Sequence, residues 1–88
     1  MTYEVALASS AQRDLQGIPP RYASAILEFI YSVLPDNPRR VGKPLGRDLE
    51  GIHSARRGDY RVLYEVHEHT NEVVVIRVSH RASAYRKR

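Results

Sequence analysis

The chain opens with an alternation of apolar and polar residues that predicts a β-strand over residues 2–8. Ser9 is followed three residues later by Gln12, which is the spacing of a capping box and predicts a short helix over residues 10–16. The Gly-Ile-Pro-Pro sequence of residues 17–20 ends that helix, because both glycine and proline interrupt helical structure.

The apolar residues that come next recur at three- and four-residue spacing, which is typical of an amphipathic helix. They are Ala23, Ile26, Leu27, Ile30, Val33 and Leu34. Pro20 suits the first position of this helix, where no backbone N–H is needed. Pro35 and the Asp-Asn-Pro turn at residues 36–38 end it. We therefore expect a strand followed by a helical hairpin.

A segment rich in glycine, proline and charge follows at residues 39–51 and is predicted to be a loop. Three more strands are predicted after it, at residues 52–57, 60–67 and 72–79. The order β-α-α-β-β-β predicts a single α+β domain over residues 1–88. We expect the N-terminal strand and the helical hairpin to pack on one face of an antiparallel sheet, whose other face is open to solvent.

Alternation along the last two strands predicts which side chains share the open face. On the first of them, the more apolar side consists of Tyr60, Val62, Tyr64 and Val66. On the second, we expect Val74, Ile76 and Val78 to face the helices. Arg61 and Arg77 would then lie together on the open face, joined by Arg81 if the last strand continues.

The charge of the chain is unevenly distributed. The net charge is +4, with twelve Arg and two Lys; residues 1–38 carry −2, whereas residues 39–88 carry +6. A basic half is typical of a protein with an anionic partner, most often nucleic acid. The preference for Arg favours phosphate, because the guanidinium fork matches phosphate oxygens. Charge alone fits an ordinary solvated surface equally well.

The composition excludes several classes of site. The chain has no cysteine, so it has neither disulfides nor thiolate metal sites. No apolar run approaches the roughly 18 residues that a membrane-spanning helix needs, and the first residues do not resemble a signal peptide, so we expect a cytoplasmic protein without membrane contact. His67 and His69 lie near two glutamates, but a surface hairpin explains them better than a metal site, and no cofactor is expected.

Three segments of the chain resemble the RelE branch of the RelE/ParE toxin superfamily. They are Leu-Glu-Gly at residues 49–51, Arg-Arg-Gly-Asp-Tyr-Arg at residues 56–61, and His-Arg with a closing Tyr-Arg at residues 80–86. The order of the predicted elements fits as well. The resemblance implies a toxin of a type II toxin–antitoxin system that acts as a ribosome-dependent endoribonuclease.

The resemblance also implies a metal-independent reaction in the ribosomal decoding site, in which the mRNA 2′-hydroxyl attacks the adjacent phosphate. Arg61 and Arg81 match the family's arginines, and Tyr85 matches its tyrosine. Because the pKa of arginine is above about 12, we expect electrostatic stabilisation rather than proton donation from these arginines. Further contacts with RNA are expected from Lys43, Arg47, His53, Arg56, Arg57, Arg77 and Arg86.

The chain departs from the family on the strand before the Arg-x-Gly-Asp-Tyr-Arg segment. The best-studied branch has two lysines there, one of them proposed as the general base, whereas this chain has Ile52 and Ser54. Candidates for the base are His53, Arg56, His80 and Tyr85. The missing lysines keep open the alternative of a catalytically weak RNA-binding module. A second alternative is a ParE-like inhibitor of DNA gyrase, since the ParE branch shares the fold. The implied partners are a RelB-like antitoxin, in a complex of higher oligomeric order, and the ribosome with its mRNA and rRNA.

Overall fold

A computed structural model of the chain describes residues 2–46 and 51–80. Within these ranges the helices are α1 (Ser9–Gln16), α2 (Pro20–Ser32) and α3 (Pro38–Val41). The strands are β1 (Glu4–Leu7), β2 (Lys43–Pro44), β3 (Ile52–Arg57), β4 (Tyr60–His67) and β5 (Glu72–His80). In this described part of the chain, no helix has the length and apolar character needed to cross a membrane.

The strands form one sheet in the order β1-β5-β4-β3-β2. Neighbouring strands are antiparallel except at one edge, where β1 runs parallel to β5. The predicted α+β class and the β-hairpins are confirmed, but the N-terminal strand is an edge strand of a mixed sheet. The segment predicted as a loop at residues 39–51 contains α3 and the two-residue strand β2.

The two longer helices lie where the sequence predicts them. Helix α2 begins at Pro20, and its apolar stripe supplies the buried Ile26 and Ile30. The capping box at the start of α1 is wrong: no side chain caps this helix, and the Gln12 side-chain amide donates to the Leu7 carbonyl at 3.1 Å instead.

The core lies between the helices and one side of the sheet. Its buried residues are Ala11, Leu15, Ile26, Phe29, Ile30, Leu34, Ala55, Val62, Tyr64, Val73, Val75 and Val78. Full burial of a large aliphatic or aromatic side chain contributes about 1.5–3 kcal/mol to the free energy of unfolding. Val62 and Tyr64 have no exposed surface, which confirms the predicted core side of β4.

A β-bulge interrupts the pairing of β4 with β5. Leu63 lies opposite Arg77, whereas the next residue, Tyr64, lies opposite Val75. Ile76 is therefore an extra residue on β5, without a partner of its own on β4. Because side chains alternate along a strand, one inserted residue reverses which positions face the core.

This reversal corrects the prediction for the last strand. Val73 and Val75 are fully buried before the bulge, and Val78 is 2% exposed after it. Val74 and Ile76, which were expected to face the helices, are only partly buried. The expectation holds for Val78 alone, because Val78 lies beyond the inserted residue.

Tyr64 connects the core to the chain segment before β2. Its hydroxyl donates a hydrogen bond to the Pro38 carbonyl at 2.6 Å, and burial raises the pKa of Tyr64 to about 12. Gly42 packs directly against this hydroxyl: a Cβ atom at Gly42 would overlap it and would lie 2.7 Å from the Ser54 carbonyl oxygen. Glycine is therefore required at this close approach.

We expect Gly42→Ala to lower the free energy of unfolding by about 1–3 kcal/mol, because the added methyl group has no space beside Tyr64. Gly46→Ala is the matched control: a Cβ there meets nothing within 4 Å, and the change should be about 0.5 kcal/mol or less. Urea denaturation followed by circular dichroism measures both. Equal unfolding midpoints for the two variants would show that the packing at Gly42 is not tight.

Candidate nucleic-acid interface

Basic side chains collect on the side of the sheet that faces away from the core, which we call the open face. Residues directly opposite each other on neighbouring strands point to the same side. Arg56 on β3 lies opposite Arg61 on β4, which in turn lies opposite Ser79 on β5. Since Arg61 precedes the fully buried Val62, this row of residues lies on the open face, as the alternation predicts for Arg61.

A second row on the open face runs beside the first. Lys43 on β2 lies opposite Ser54, and Leu63 connects Ser54 to Arg77 across the sheet. The Lys43 side chain is exposed to solvent. The open face thus carries Lys43 from an edge strand next to the arginines of the two central strands.

The pairing of Arg56 with Arg61 places two like charges directly across from each other. Side chains at such positions have Cβ atoms about 4.5–5.5 Å apart, and like charges there are destabilising. An anion held between the two guanidinium groups reduces this repulsion. A phosphodiester suits the position, because its two non-bridging oxygens can each accept charge-assisted hydrogen bonds.

Arg77 has a carboxylate partner on helix α1. Its Nε donates to Asp14 Oδ2 at 2.8 Å and its Nη2 to Oδ1 at 3.3 Å, while the Val78 backbone N–H donates to Oδ2 at 2.9 Å. The hydrogen bonds that Arg77 donates to Asp14, together with the negative charge of that carboxylate, raise the pKa of Arg77 above its ordinary value. Arg77 therefore joins α1 to β5, and its contact with RNA stays a prediction.

Arg57 lies on the helix side of the sheet rather than beside Arg56. It is opposite Tyr60, whose ring packs against the core. Together with Glu28, Phe29 and Val33 it lines a cavity of about 330 Å³ between α2 and the sheet. Arg56 and Arg57 are adjacent in sequence and so point to opposite sides of the strand. Only Arg56 of this pair belongs to the open face.

His53 also lies on the core side. It is opposite Tyr64, stacks on the Tyr64 ring with centroids 5.5 Å apart, and is 6% exposed. Burial lowers the pKa of His53 below its ordinary value, and the positive charge of Arg39 lowers it further. His53 is therefore not placed to contact RNA at the surface, because its ring is buried against Tyr64.

Four residues of the predicted site lie outside the described residues: Arg47, Arg81, Tyr85 and Arg86. Their expected roles stay predictions. Over residues 2–46 and 51–80, no three His, Asp or Glu side chains are grouped closely enough to hold a metal ion. Of the histidines considered for a metal, His67 lies 2.9 Å from Glu65 through its Nε2.

Asp14 is the residue of this region that sequence reasoning missed. It lies 63 positions from Arg77, and no local pattern indicates that α1 reaches the far end of β5. The pairing of Lys43 with Ser54 could not be predicted either, because β2 has only two residues and therefore shows no alternation of apolar and polar positions.

Comparison with known proteins gives a consistent family. The family model for the "ParE toxin of type II toxin-antitoxin system, parDE" matches residues 5–85. Toxin RelE of Mycobacterium tuberculosis (strain ATCC 25618 / H37Rv) is 49% identical over 84 residues, which cover 96% of this chain and 87% of that protein. Toxin RelG of the same strain is 48% identical over 87 residues, which cover 99% of this chain and all of that protein.

The fold agrees with a solved structure of a relative. The crystal structure of the toxin–antitoxin complex RelBE2 from Mycobacterium tuberculosis contains a chain that superposes with a TM-score of 0.88 and 46% sequence identity. The match covers 91% of this chain and 99% of that chain. The agreement confirms the α+β arrangement of the helices and the sheet.

The burial of His53 predicts a dependence of stability on pH. Since the folded-state pKa of His53 is below its unfolded value of 6.5, the unfolded chain binds a proton first as the pH falls. Above about pH 6.5 His53 is neutral in both states and does not lower the free energy of unfolding. As the pH falls from there towards the folded-state pKa, the free energy of unfolding decreases. Urea denaturation between pH 7 and pH 5 measures this loss. We expect His53→Phe, which keeps a ring against Tyr64, to show a smaller loss. An unchanged pH dependence in the variant would contradict the burial of a neutral imidazole.

Proposed function

Because the chain belongs to the RelE/ParE toxins of type II toxin–antitoxin systems, we propose that it is a ribosome-dependent endoribonuclease that cleaves mRNA in the decoding site. The observation that carries this proposal is the pairing of Arg56 with Arg61 on the open face. Cleavage of translated mRNA inhibits protein synthesis, and a ribosome-bound substrate implies action in the cytoplasm.

The proposed reaction needs positive charge close to one phosphate. The 2′-oxygen of a ribose attacks the adjacent phosphorus while its proton passes to a general base. The bond from phosphorus to the 5′-oxygen then breaks, and the 5′-oxygen takes up a proton, which gives a 2′,3′-cyclic phosphate and a 5′-hydroxyl. The five-coordinate phosphorane carries more negative charge than the starting diester, so cations fixed before the reaction stabilise it selectively. In this proposal the Arg61 fork binds the non-bridging oxygens, and Arg56 lies across from it as a second cation.

The family resemblance supplies the remaining groups near the phosphate. We assign charge stabilisation to Arg81 and base stacking, or orientation of the 2′-hydroxyl, to Tyr85. Arg47 and Arg86 add contacts with the RNA backbone in the same way. Arg77 adds one through Nη1, the guanidinium nitrogen that does not donate to Asp14.

Lys43 supplies a positive charge near a position where the family has a lysine and this chain does not. Ser54 stands where one of these lysines is expected, and Lys43 lies directly opposite Ser54 on the neighbouring strand. A lysine side chain is long enough to extend over a cross-strand neighbour, since directly opposed Cβ atoms are only about 4.5–5.5 Å apart. We therefore assign Lys43 to phosphate binding beside position 54.

The partner that we propose is a cognate RelB-like antitoxin. The RelBE2 structure is itself a toxin–antitoxin complex, formed by a protein 46% identical to this chain. Residues 39–88 carry a net charge of +6, which favours an antitoxin segment rich in acidic residues. Such a segment would compete with RNA for the basic half of the toxin. We expect the toxin–antitoxin complex to assemble into a higher oligomer.

One observation favours a second function, inhibition of DNA gyrase. The family model that matches residues 5–85 carries the ParE description, and ParE-like toxins share this fold. A supercoiling assay separates the two functions, because a gyrase inhibitor blocks supercoiling and leaves ribosome-bound mRNA intact. A third outcome, tight RNA binding without cleavage, would identify a catalytically weak RNA-binding module.

We predict that Arg61→Ala lowers the rate of mRNA cleavage on programmed ribosomes by about 10²–10³-fold, because a fixed charge at the phosphate is lost. Arg61→Lys should recover part of the rate, since it restores the charge without the fork. Arg13→Ala, an exposed arginine on α1, is the matched control and should cleave at the original rate. Primer extension with purified variants measures the rates. Cleavage at the original rate by a normally folded Arg61→Ala protein would refute the assignment.

A further inference from the structure

A cavity of about 250 Å³ lies at the end of the sheet where the β3–β4 turn meets the end of β5. Its walls are formed by Tyr22 of α2, by Gly58 and Asp59 of the turn, and by Tyr60 and His80. We call this cavity the aromatic slot. It lies on the helix side of the sheet, because Tyr60 and His80 are cross-strand partners on that side. Of the residues that line the slot, His80 alone is among the candidates for the general base, and Tyr22 has no part in the proposed reaction.

Three rings of the slot form a connected cluster. The Tyr22 and Tyr60 rings have centroids 6.0 Å apart with planes at 38°, and the Tyr60 and His80 rings meet edge to face at 5.2 Å. Tyr60 packs against the core, but Tyr22 is 44% exposed. Part of the Tyr22 ring is therefore not packed against the core. The Arg21 guanidinium lies over this ring, so a planar group would stack on the exposed part of the Tyr22 ring that Arg21 leaves uncovered.

The lining of the slot includes one carboxylate, Asp59, and arginines lie around it. The Arg21 guanidinium lies 4.9 Å from the centroid of the Tyr22 ring, and Arg57 is the cross-strand neighbour of Tyr60. One position further along the same two strands, Arg56 and Arg61 lie on the open face. At this end of the sheet, guanidinium groups thus lie beside the aromatic rings on the helix side and also on the open face. This combination is typical of surfaces that bind single-stranded nucleic acid.

We propose that the aromatic slot binds a nucleobase of a single-stranded RNA, which stacks on Tyr22 while the backbone of the RNA continues around the end of the sheet to Arg56 and Arg61. RNA as the source of the base rests on the proposed function. Stacking tolerates any base, because every base has a π-face, so the slot contributes affinity and orientation rather than sequence preference. Tyr22 is accordingly a substrate-binding residue.

The first experiment tests the slot without any cleavage step. Adenosine or uridine monophosphate is added to the full chain, and NMR follows the tyrosine ring resonances. We expect resonances of Tyr22 and Tyr60 to shift in a saturable way, while those of Tyr31, 53% exposed on the same helix, stay unchanged. Unchanged Tyr22 and Tyr60 resonances at millimolar nucleotide, or equal shifts at Tyr31, would overturn the proposal.

The second experiment compares matched variants for binding of a short single-stranded RNA. Tyr22→Ala should weaken binding by about fivefold to a hundredfold, because stacking on one aromatic ring is lost. Tyr22→Phe keeps the ring and should bind like the original chain, as should the control Tyr31→Ala. Equal affinities for Tyr22→Ala and Tyr31→Ala would overturn the proposal. So would a loss at Tyr22→Ala confined to antitoxin binding, since the occupant would then be a protein.

The nuclease function and the aromatic slot can be refuted independently of each other. Saturable nucleotide binding at Tyr22 in a protein that leaves ribosomal mRNA intact would keep the slot and refute the nuclease. Cleavage of mRNA at an equal rate and with equal apparent KM by Tyr22→Ala and the original chain would keep the nuclease and refute the slot.

Discussion

The register between β3 and β4 is the constraint on which the rest of the structure depends. A shift by one residue would turn Val62 and Tyr64 to the solvent and would bring Arg61 into the core. Each of those exposed side chains would lose about 1.5–3 kcal/mol of burial free energy. The core therefore holds the arginines in place: the same register that buries Val62 sets Arg56 opposite Arg61 on the open face. The repulsion between the two like charges, at most about 1 kcal/mol, is too weak to change it.

The far end of β5 is organised by a different set of contacts. Strand β1 ends at Leu7, opposite Val75, so β5 continues beyond its neighbour. Helix α1 replaces the missing strand there: the Ser10 hydroxyl donates to the Ile76 carbonyl, and Asp14 accepts from the Val78 N–H. Side chains of α1 thus pair backbone groups that an edge strand would otherwise leave exposed. The bulge at Ile76 lies in the same stretch and shifts the alternation of β5, so that Val78 reaches the core.

Much of this arrangement follows from the sequence. The spacing of apolar residues predicts α2, and the alternation along β4 predicts that Arg61 points away from the core. The face of β5 was not predictable in the same way, because four consecutive apolar residues at 73–76 have no alternation that would reveal an inserted residue. The burial of His53 was not predictable for a related reason. The apolar residues of β3, Ile52 and Ala55, lie on opposite sides of the strand and give no clear alternation, and the pairing of His53 with Tyr64 is set between strands.

The central claim, that the open face acts on mRNA held by the ribosome, is tested most directly by mapping new mRNA 3′ ends after brief expression of the chain in bacteria. A parallel culture in which translation initiation is blocked serves as the reference. Cleavage in the decoding site predicts new ends at fixed positions relative to the reading frame, in translated messages only. Growth arrest with intact mRNA, or ends that form equally without translation, would contradict it.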